Sequence, residues 1–239
     1  NVNGTFNYDS LVVKAKCKIP GTDEYVEFLL SDKEYVVSNV DLTTTGNKSV
    51  TITYGTGETA VTADYDIEVL NIPDLSAETA VNVTVNPTAL ISVTDGVYNF
   101  HTINQALQFL TLAKVSDNCA KTITLTKETV YNEKVYINIP NVTLTTADVT
   151  AEDVSKYGVI EFNILAGMLD PSETTVYSTD GSATVTISKD AEGFTAKFVT
   201  FKNYYNTYEL YSQSKTMFND TQAVAALVQA DKSTFINCY

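Results

Sequence analysis

Residues 193–203 of this chain read GFTAKFVTFKN and residues 222–238 read QAVAALVQADKSTFINC, and these two stretches decide the fold. They contain short runs of β-branched, aromatic and small apolar residues at 194–201, 224–228 and 234–236, which is typical of β-strands. Upstream, further short runs of this kind follow one another at 122–125, 135–139, 142–144, 158–162 and 183–187. No helical segment of about 10–15 residues alternates with them, so a sheet built from βαβ units is not predicted.

Two all-β architectures are compatible with this succession of strands: a parallel β-helix and a second sandwich. Several of the runs recur at roughly 20–25 residues, and Asn or Gly stands at the ends of runs. These features favour the β-helix.

One helix is predicted ahead of these strands, over residues 103–112. Thr102 is a suitable N-cap and Gln105 stands three residues later, which makes a capping box. The apolar residues recur at helical spacing and form one face: Ile103, Ala106, Leu107 and Leu110. Because an open solenoid end exposes backbone groups and apolar stacks, we expect this helix to cover the first turn of the β-helix.

The motifs in these segments resemble those of the pectin methylesterase family. The family pattern G-F-x-A-x-x-x-x-F-x-N corresponds to residues 193–203, Q-A-V-A-L to residues 222–226 and D-x-x-x-F-x-x-C to residues 231–238. A fourth pattern, G-x-Y-x-E-x-V-x-I, corresponds to residues 129–137 with Thr129 in place of Gly. The resemblance covers residues 89–239. It implies a right-handed parallel β-helix with an N-terminal capping helix, and hydrolysis of galacturonan methyl esters without a cofactor.

The resemblance also implies roles for individual residues. Gln222 would help to form the oxyanion hole, where its amide donors stabilise the negative charge that develops on the ester carbonyl oxygen. The alternative is a glutamine in a solenoid ladder, with its amide satisfied by neighbours. Tyr131 and Glu133 are interpreted as structural, with Tyr131 at a corner of the solenoid and Glu133 capping backbone groups. Asp231 matches the turn position that precedes a strand.

The residues that carry out the family's reaction have no counterpart in this sequence. The family needs one aspartate as nucleophile, a second as general acid, and an arginine that keeps the nucleophile ionised. The Q-D-T-L, D-F-I-F-G and L-G-R-P-W motifs that supply them are absent, and the chain contains no arginine. We therefore expect this chain to be inactive as it stands. We also expect it to self-associate through an open β-helix end near residues 238–239.

A tyrosine-rich insert lies between two of the predicted strands and is a candidate saccharide-binding segment. Its tyrosines are Tyr204, Tyr205, Tyr208 and Tyr211. Tyrosine faces stack on sugar rings and tyrosine hydroxyls form hydrogen bonds with sugar edges. The alternative is a loop that packs on the flank of the solenoid.

The N-terminal region has a different pattern, from which we predict a separate domain. Short alternating runs occur at 11–19, 24–30, 35–37, 49–54 and 60–70, with turn residues between them, which is typical of an antiparallel β-sandwich. Residues 44–54, TTGNKSVTITY, resemble a segment of the bacterial Ig-like modules of secreted surface proteins. We predict an Ig-like sandwich with its linker at 1–87 and the β-helix at 88–239. The run at 80–85 is either a last sandwich strand or an entry strand to the second domain.

The charge of the chain excludes some classes of partner. The net charge is −14, and every one of the 15 basic residues is lysine. So acidic a protein is expected to repel nucleic acid and anionic lipid surfaces. No apolar run approaches the roughly 20 residues of a membrane span. A pectin-like polysaccharide is the partner that the resemblance implies, and the location it implies is extracellular or at the cell surface.

The cysteines and the histidine do not form a metal-binding pattern. Cys17, Cys119 and Cys238 have no metal-ligand spacing, and His101 is the single histidine. No metal and no cofactor is therefore predicted. The cysteines are either buried apolar residues or include one Cys119–Cys238 disulfide.

Two functions remain open on the sequence alone. The first is a carbohydrate-active protein of the pectinesterase type. The second is a non-catalytic glycan-binding, adhesion or structural surface protein that uses the same fold. The missing catalytic motifs are the feature that separates them.

Overall fold

A computed structural model describes residues 2, 11–94, 96–169, 175–206 and 222–239. The chain divides into two compact units. The N-terminal unit comprises Asn1–Ile72 with Leu169–Thr175, and the C-terminal unit comprises Pro73–Met168 with Val176–Tyr239. No helix among the described residues is both long and apolar enough to cross a membrane.

The N-terminal unit consists of antiparallel strands, as the alternating pattern predicts. Strands β1 (Lys14–Lys18) and β2 (Tyr25–Leu29) form a two-stranded sheet. Strands β3 (Tyr35–Val37), β4 (Gly46–Tyr54) and β5 (Val61–Val69) form a three-stranded sheet in that order, with a 3-10 turn at Gly57–Thr59. The assignment of this unit as an Ig-like sandwich stays a prediction.

The C-terminal unit contains three sheets. The first has the spatial order β18-β15-β12-β9-β6-β8-β7, the second β10-β13-β16 and the third β11-β14-β17. Their bounds are β6 (Ala80–Val85), β7 (Ser92–Thr94), β8 (Val97–Phe100), β9 (Ala120–Leu125), β10 (Val130–Asn132), β11 (Val135–Ile137), β12 (Val142–Thr146), β13 (Gly158–Phe162), β14 (Val185–Ile187), β15 (Thr195–Lys197), β16 (Val199–Asn203), β17 (Ala226–Val228) and β18 (Thr234–Ile236). Two further 3-10 turns lie at Val154–Lys156 and Asp180–Ser182.

The order of these strands along the chain makes this unit a parallel β-helix. The chain passes from the first sheet to the second and then to the third, and repeats this course through β9-β10-β11, β12-β13-β14 and β15-β16-β17. Successive turns pair in parallel, and the inward-facing Ile123, Leu144 and Ala196 stack in register and are fully buried. The predicted fold class is therefore confirmed for the β-helix and its capping helix.

The structure corrects one detail of the strand prediction and decides between the two alternatives that were open for another. The predicted strand 194–201 is two strands, β15 and β16, because Phe198 has a positive φ of 56° that turns the chain from the first sheet into the second. The β-strand at 80–85, for which two alternatives were open, is β6 and pairs in parallel with β9 and β8. In the division into compact units, residues 73–87 fall in the C-terminal unit. The domain division itself stays a prediction.

The capping helix α1 (Ile103–Leu112) is confirmed with its predicted bounds. The Thr102 hydroxyl accepts from the backbone N–H of Gln105, and the Gln105 side chain accepts from the backbone N–H of Thr102, so both halves of the capping box are present. The helix packs against β6, β8 and β11, with Ile103 and Leu110 buried in its apolar face. It therefore covers the first turn of the solenoid.

Two long insertions leave the β-helix at the same corner. Residues 163–184 join β13 to β14, and residues 204–225 join β16 to β17. Because β13 pairs with β16 and β14 pairs with β17, both insertions lie where the second sheet passes into the third. The first insertion also lengthens the repeat. Val142 and its partner Lys121 are separated by the predicted spacing, whereas Thr195 and its partner Thr143 are much farther apart in sequence because the insertion lies between them.

The corner between the third and first sheets depends on a glycine, which gives a testable prediction. Gly193 has a φ of +76°, and a Cβ added there would lie 2.8 Å from the Oδ1 atom of Asn141 in the turn of the preceding coil. We expect Gly193→Ala to lower the free energy of unfolding by about 2 kcal/mol, through backbone strain and this contact. Chemical denaturation of the β-helix measures the loss.

The matched control for this prediction is Gly96→Ala. Gly96 has a φ of +74°, and a Cβ there would meet nothing within 4 Å. Backbone strain alone acts at Gly96, so this variant should lose clearly less stability. Equal losses in the two variants would show that the contact with Asn141 contributes nothing.

Candidate functional site

The corner from which the two insertions leave, here called the insertion corner, brings together polar side chains from several turns of the β-helix. It is defined by Lys134, Thr179, Asn203, Tyr204 and Gln222. Lys134 precedes β11, Asn203 ends β16 and Gln222 lies four residues before β17. Thr179 and Tyr204 belong to the insertions themselves, so the parallel register of the strands is what brings these five residues into one region.

Asn203 holds the backbone of the insertion corner together. Its amide nitrogen donates to the carbonyl oxygens of Ile164 (2.8 Å), Ser182 (3.0 Å) and Val224 (3.3 Å). These three carbonyls belong to the beginning of the first insertion, its end, and the end of the second. In the sequence, Asn203 stands out only as the last residue of a motif. An asparagine directly after a strand and before a long insertion was the available signal.

Gln222 is exposed, and its amide is held at one end only. Its backbone carbonyl accepts from the N–H of Ala166 at 2.9 Å, and its Oε1 atom accepts from the Thr179 hydroxyl at 3.1 Å. The Nε2 atom, with two N–H donors, has no partner within the described part of the chain. A glutamine in this state can donate to an anionic oxygen of a bound ligand.

Lys134 is a half-buried cation at the same corner. Its Nζ atom donates to the carbonyl oxygens of Gly181 (2.6 Å) and Ala183 (2.7 Å), and lies 5.5 Å from the centre of the Tyr177 ring. Burial lowers the pKa of this ammonium group. Both hydrogen bonds are to backbone carbonyls beside the turn that carries Thr179, so Lys134 fixes the position of that turn.

Tyr204 is the residue of the insertion corner that lies on the outer face of the second sheet. Asn132, Glu161 and Lys202 pair in register across this sheet and form one outward-facing row. The Tyr204 hydroxyl accepts from the Asn132 amide at 3.4 Å, and the Lys202 ammonium lies 5.6 Å from the centre of the Tyr204 ring. Tyr204 keeps 39% of its surface exposed, so one tyrosine of the predicted saccharide contact is accessible.

The other predicted tyrosines differ in position. Tyr205 is half-buried, and its backbone N–H donates to the Asn203 Oδ1 atom at 3.1 Å. Tyr208 and Tyr211 lie outside the described residues.

Tyr131 and Glu133 lie away from the insertion corner. Tyr131 is buried; its hydroxyl donates to the Val85 carbonyl and accepts from the Thr126 N–H, both at 2.8 Å, and burial raises its pKa. The Glu133 carboxylate accepts from the backbone N–H groups of Ile103 (2.8 Å) and Asn104 (3.0 Å) at the start of α1. Burial raises the pKa of Glu133, against these hydrogen bonds, which lower it. Tyr131 thus joins β10 to β6 and to the segment that follows β9, whereas Glu133 joins the segment before β11 to the start of α1.

The described residues contain no cluster of three or more metal-ligating side chains. Cys17, Cys119 and Cys238 are free thiols, exposed, buried and half-buried respectively. The insertion corner presents neutral amide groups, one exposed aromatic face and the Lys134 ammonium group.

No protein-family model matches the chain, and no curated protein matches it. Three solved structures of pectin methylesterases do match, each with 27% sequence identity and each covering 66% of this chain. They are pectin methylesterase PemA from Erwinia chrysanthemi (TM-score 0.48), a pectin methylesterase mutant in complex with hexasaccharide IV (0.50) and pectin methylesterase in complex with hexasaccharide VII (0.49).

The match covers 42% of each of those chains, so this chain spans less than half of their length. The complex with hexasaccharide IV combines a TM-score of 0.50 with 27% identity. It agrees with the motif resemblance over residues 89–239. The chain has a pectinesterase-like fold, with a parallel β-helix similar to that of pectin methylesterases.

Proposed function

We propose that this chain is part of an extracellular carbohydrate-active protein of the pectinesterase type, and that its insertion corner binds a pectin-like polysaccharide. The observation that carries the proposal is the arrangement of Gln222 and Tyr204 at one corner of a pectinesterase-like β-helix. Neutral sugars and esters bind to exposed aromatic rings and to amide N–H donors. Tyr204 supplies such a ring, and the Nε2 atom of Gln222 has no partner among the described residues.

In this proposal Gln222 takes the part of an oxyanion-stabilising donor. Attack on a methyl ester carbonyl gives a tetrahedral intermediate whose oxygen carries a negative charge, and positioned N–H donors stabilise that charge. Thr179 holds the Oε1 end of the Gln222 amide, which leaves the Nε2 donors for a ligand. Asn203 and Lys134 act as positioning residues, because they hold the backbone on which Gln222 and Thr179 stand.

The nucleophile and the general acid are not supplied by this chain. The aspartate-containing motifs of the family and its arginine are missing from the 239 residues. The non-catalytic alternative, a glycan-binding or adhesion protein, makes the same use of Tyr204 but leaves Gln222 without a chemical task. Self-association through an open β-helix end near residues 238–239, like the absence of binding to nucleic acid, stays a prediction.

Replacement of Tyr204 tests the polysaccharide proposal directly. We expect Tyr204→Ala to weaken binding to methyl-esterified homogalacturonan about tenfold, because loss of the ring removes a stacking surface worth about 1 kcal/mol or slightly more. Affinity electrophoresis or titration calorimetry measures the change. Tyr204→Phe, which keeps the ring, should retain most of the affinity.

The control for Tyr204 is another exposed tyrosine of the same unit. Tyr136 lies on β11 with 55% of its surface exposed, and Tyr136→Ala should leave polysaccharide binding unchanged. If Tyr204→Ala and Tyr136→Ala bind alike, the insertion corner is not the binding surface.

A further inference from the structure

The cation nearest to the exposed Tyr204 ring is neutralised by a neighbouring carboxylate. Lys202 and Glu161 lie opposite each other in β16 and β13, and the Lys202 Nζ atom is 2.8 Å from the Glu161 Oε2 atom. The Glu161 side chain is only 18% exposed, whereas that of Lys202 is 51% exposed. The carboxylate is therefore held against the sheet, and the ammonium remains at the surface beside the aromatic ring.

Lys134, the lysine that belongs to the insertion corner itself, also has its hydrogen bonds taken up by the protein. Lys134 donates to two backbone carbonyl oxygens that belong to the protein itself. The chain offers no arginine for bidentate recognition of a carboxylate, and its net charge is −14. The negative charge of the whole protein would repel an anionic polymer at this corner. The nearest lysines, Lys134 and Lys202, already form hydrogen bonds or an ion pair within the protein.

From this arrangement we infer that Glu161 is a specificity-determining residue: by neutralising Lys202 beside Tyr204, it makes the corner select uncharged, esterified uronate units over units with free carboxylates. The inference rests on the proposed polysaccharide binding at the insertion corner. Glu161 is assigned a role in discrimination and not in the ester chemistry.

The physical basis is a difference in electrostatic free energy between two forms of one polymer. An esterified unit carries no charge, so it loses nothing to the field of the protein and gains the stacking and amide contacts. A free carboxylate meets the same contacts but gains no net attraction from Lys202, whose charge is balanced by Glu161, and it is repelled by the net charge of the chain. Since exposed charges are screened by salt, the repulsion should weaken as ionic strength rises.

The experiment measures the affinity of the 239-residue chain for two homogalacturonans of equal length. One is highly methyl-esterified and the other is fully de-esterified. The wild type should bind the esterified polymer more tightly at low salt, and added salt should strengthen its binding to the de-esterified polymer. Glu161→Gln frees Lys202 and should raise affinity for the de-esterified polymer about threefold at low salt. Affinity for the esterified polymer should stay unchanged.

A variant of equal charge elsewhere provides the control. Glu192 forms an ion pair with Lys232 away from the insertion corner, before β15, and Glu192→Gln changes the net charge by the same amount. It should leave the preference between the two polymers close to that of the wild type. Circular dichroism of both variants checks that each is folded.

Three outcomes are distinguishable. If Glu161→Gln raises binding of the de-esterified polymer and Glu192→Gln does not, the inference holds. If the two variants behave alike, or if the wild type prefers the de-esterified polymer, the assignment of Glu161 is wrong while polysaccharide binding stands. Failure of both polymers to bind the wild type would overturn the proposed function, and this inference with it.

Discussion

Incubation of the 239-residue chain with highly methyl-esterified pectin is expected to release no methanol above a buffer blank. The ester reaction needs a carboxylate nucleophile, an acid that protonates the departing methanol and a positive charge that keeps the nucleophile ionised. Removal of a nucleophile alone costs several orders of magnitude in rate, because the catalytic groups act as a unit. Gln222 donates hydrogen bonds only, and nothing in the chain generates the oxyanion that it would stabilise.

Methanol is measured with a coupled alcohol oxidase assay, and an active pectin methylesterase on the same substrate serves as the positive control. Gln222→Ala should be indistinguishable from the wild type in this assay. Turnover clearly above the blank that disappears in Gln222→Ala would show that the catalytic groups have been misplaced and that this chain supplies its own nucleophile.

A large loss of stability is expected when Lys121 is removed. Lys121 is 2% exposed, and its inward-facing position lies in register between Val81 and Val142. Its ammonium group donates to four backbone carbonyls: Ser116 (2.8 Å), Asp117 (3.4 Å), Cys119 (3.0 Å) and Pro140 (3.0 Å). Burial lowers the pKa of Lys121, and the neighbouring Cys119 and Asp117 oppose that shift.

We expect Lys121→Ala to lower the free energy of unfolding by about 3–4 kcal/mol, since it leaves buried carbonyl groups without a donor and opens a cavity. Lys121→Met keeps most of the packing and should lose about 2 kcal/mol. Chemical denaturation of the β-helix measures both losses. Lys189→Ala, at an exposed position, is the control and should be nearly neutral. A loss below about 1 kcal/mol for Lys121→Ala would mean that water satisfies these carbonyls.

Features of the chain that depend on neighbours in sequence were predictable. The capping box of α1 joins residues three positions apart, so the start of the helix at Ile103 follows from Thr102 and Gln105 alone. The strands of the β-helix carry local runs of β-branched and aromatic residues. The motifs at 193–203 and 231–238 predicted the positions of β15, β16 and β18 to within a few residues of their observed bounds. The break at Phe198 was missed, because a positive φ at a bulky residue has no local sequence signal.

Features that depend on register between coils were not predictable. A parallel β-helix pairs strands that are far apart in sequence, and an insertion in one coil changes that separation without changing the local pattern of either strand. Asn203 therefore bridges the backbone of both insertions, and Glu161 meets Lys202, without any sign of this in their surroundings along the chain. Nothing in the sequence around Lys121 indicates that its side chain faces inward. Its register with Val81 and Val142 on the neighbouring strands shows that it does.

By itself, the sequence determined the strand and helix content, the pectinesterase-like motifs and the absence of the family's catalytic aspartates and arginine, since each is a property of composition or of short spacing. The tertiary structure alone decided which residues form the insertion corner, that Thr179 holds the Gln222 amide at one end, and that Tyr204 stands beside a neutralised lysine. The physical reason is that backbone hydrogen bonds between successive coils set which side chains become neighbours, and those bonds join residues that no local pattern connects.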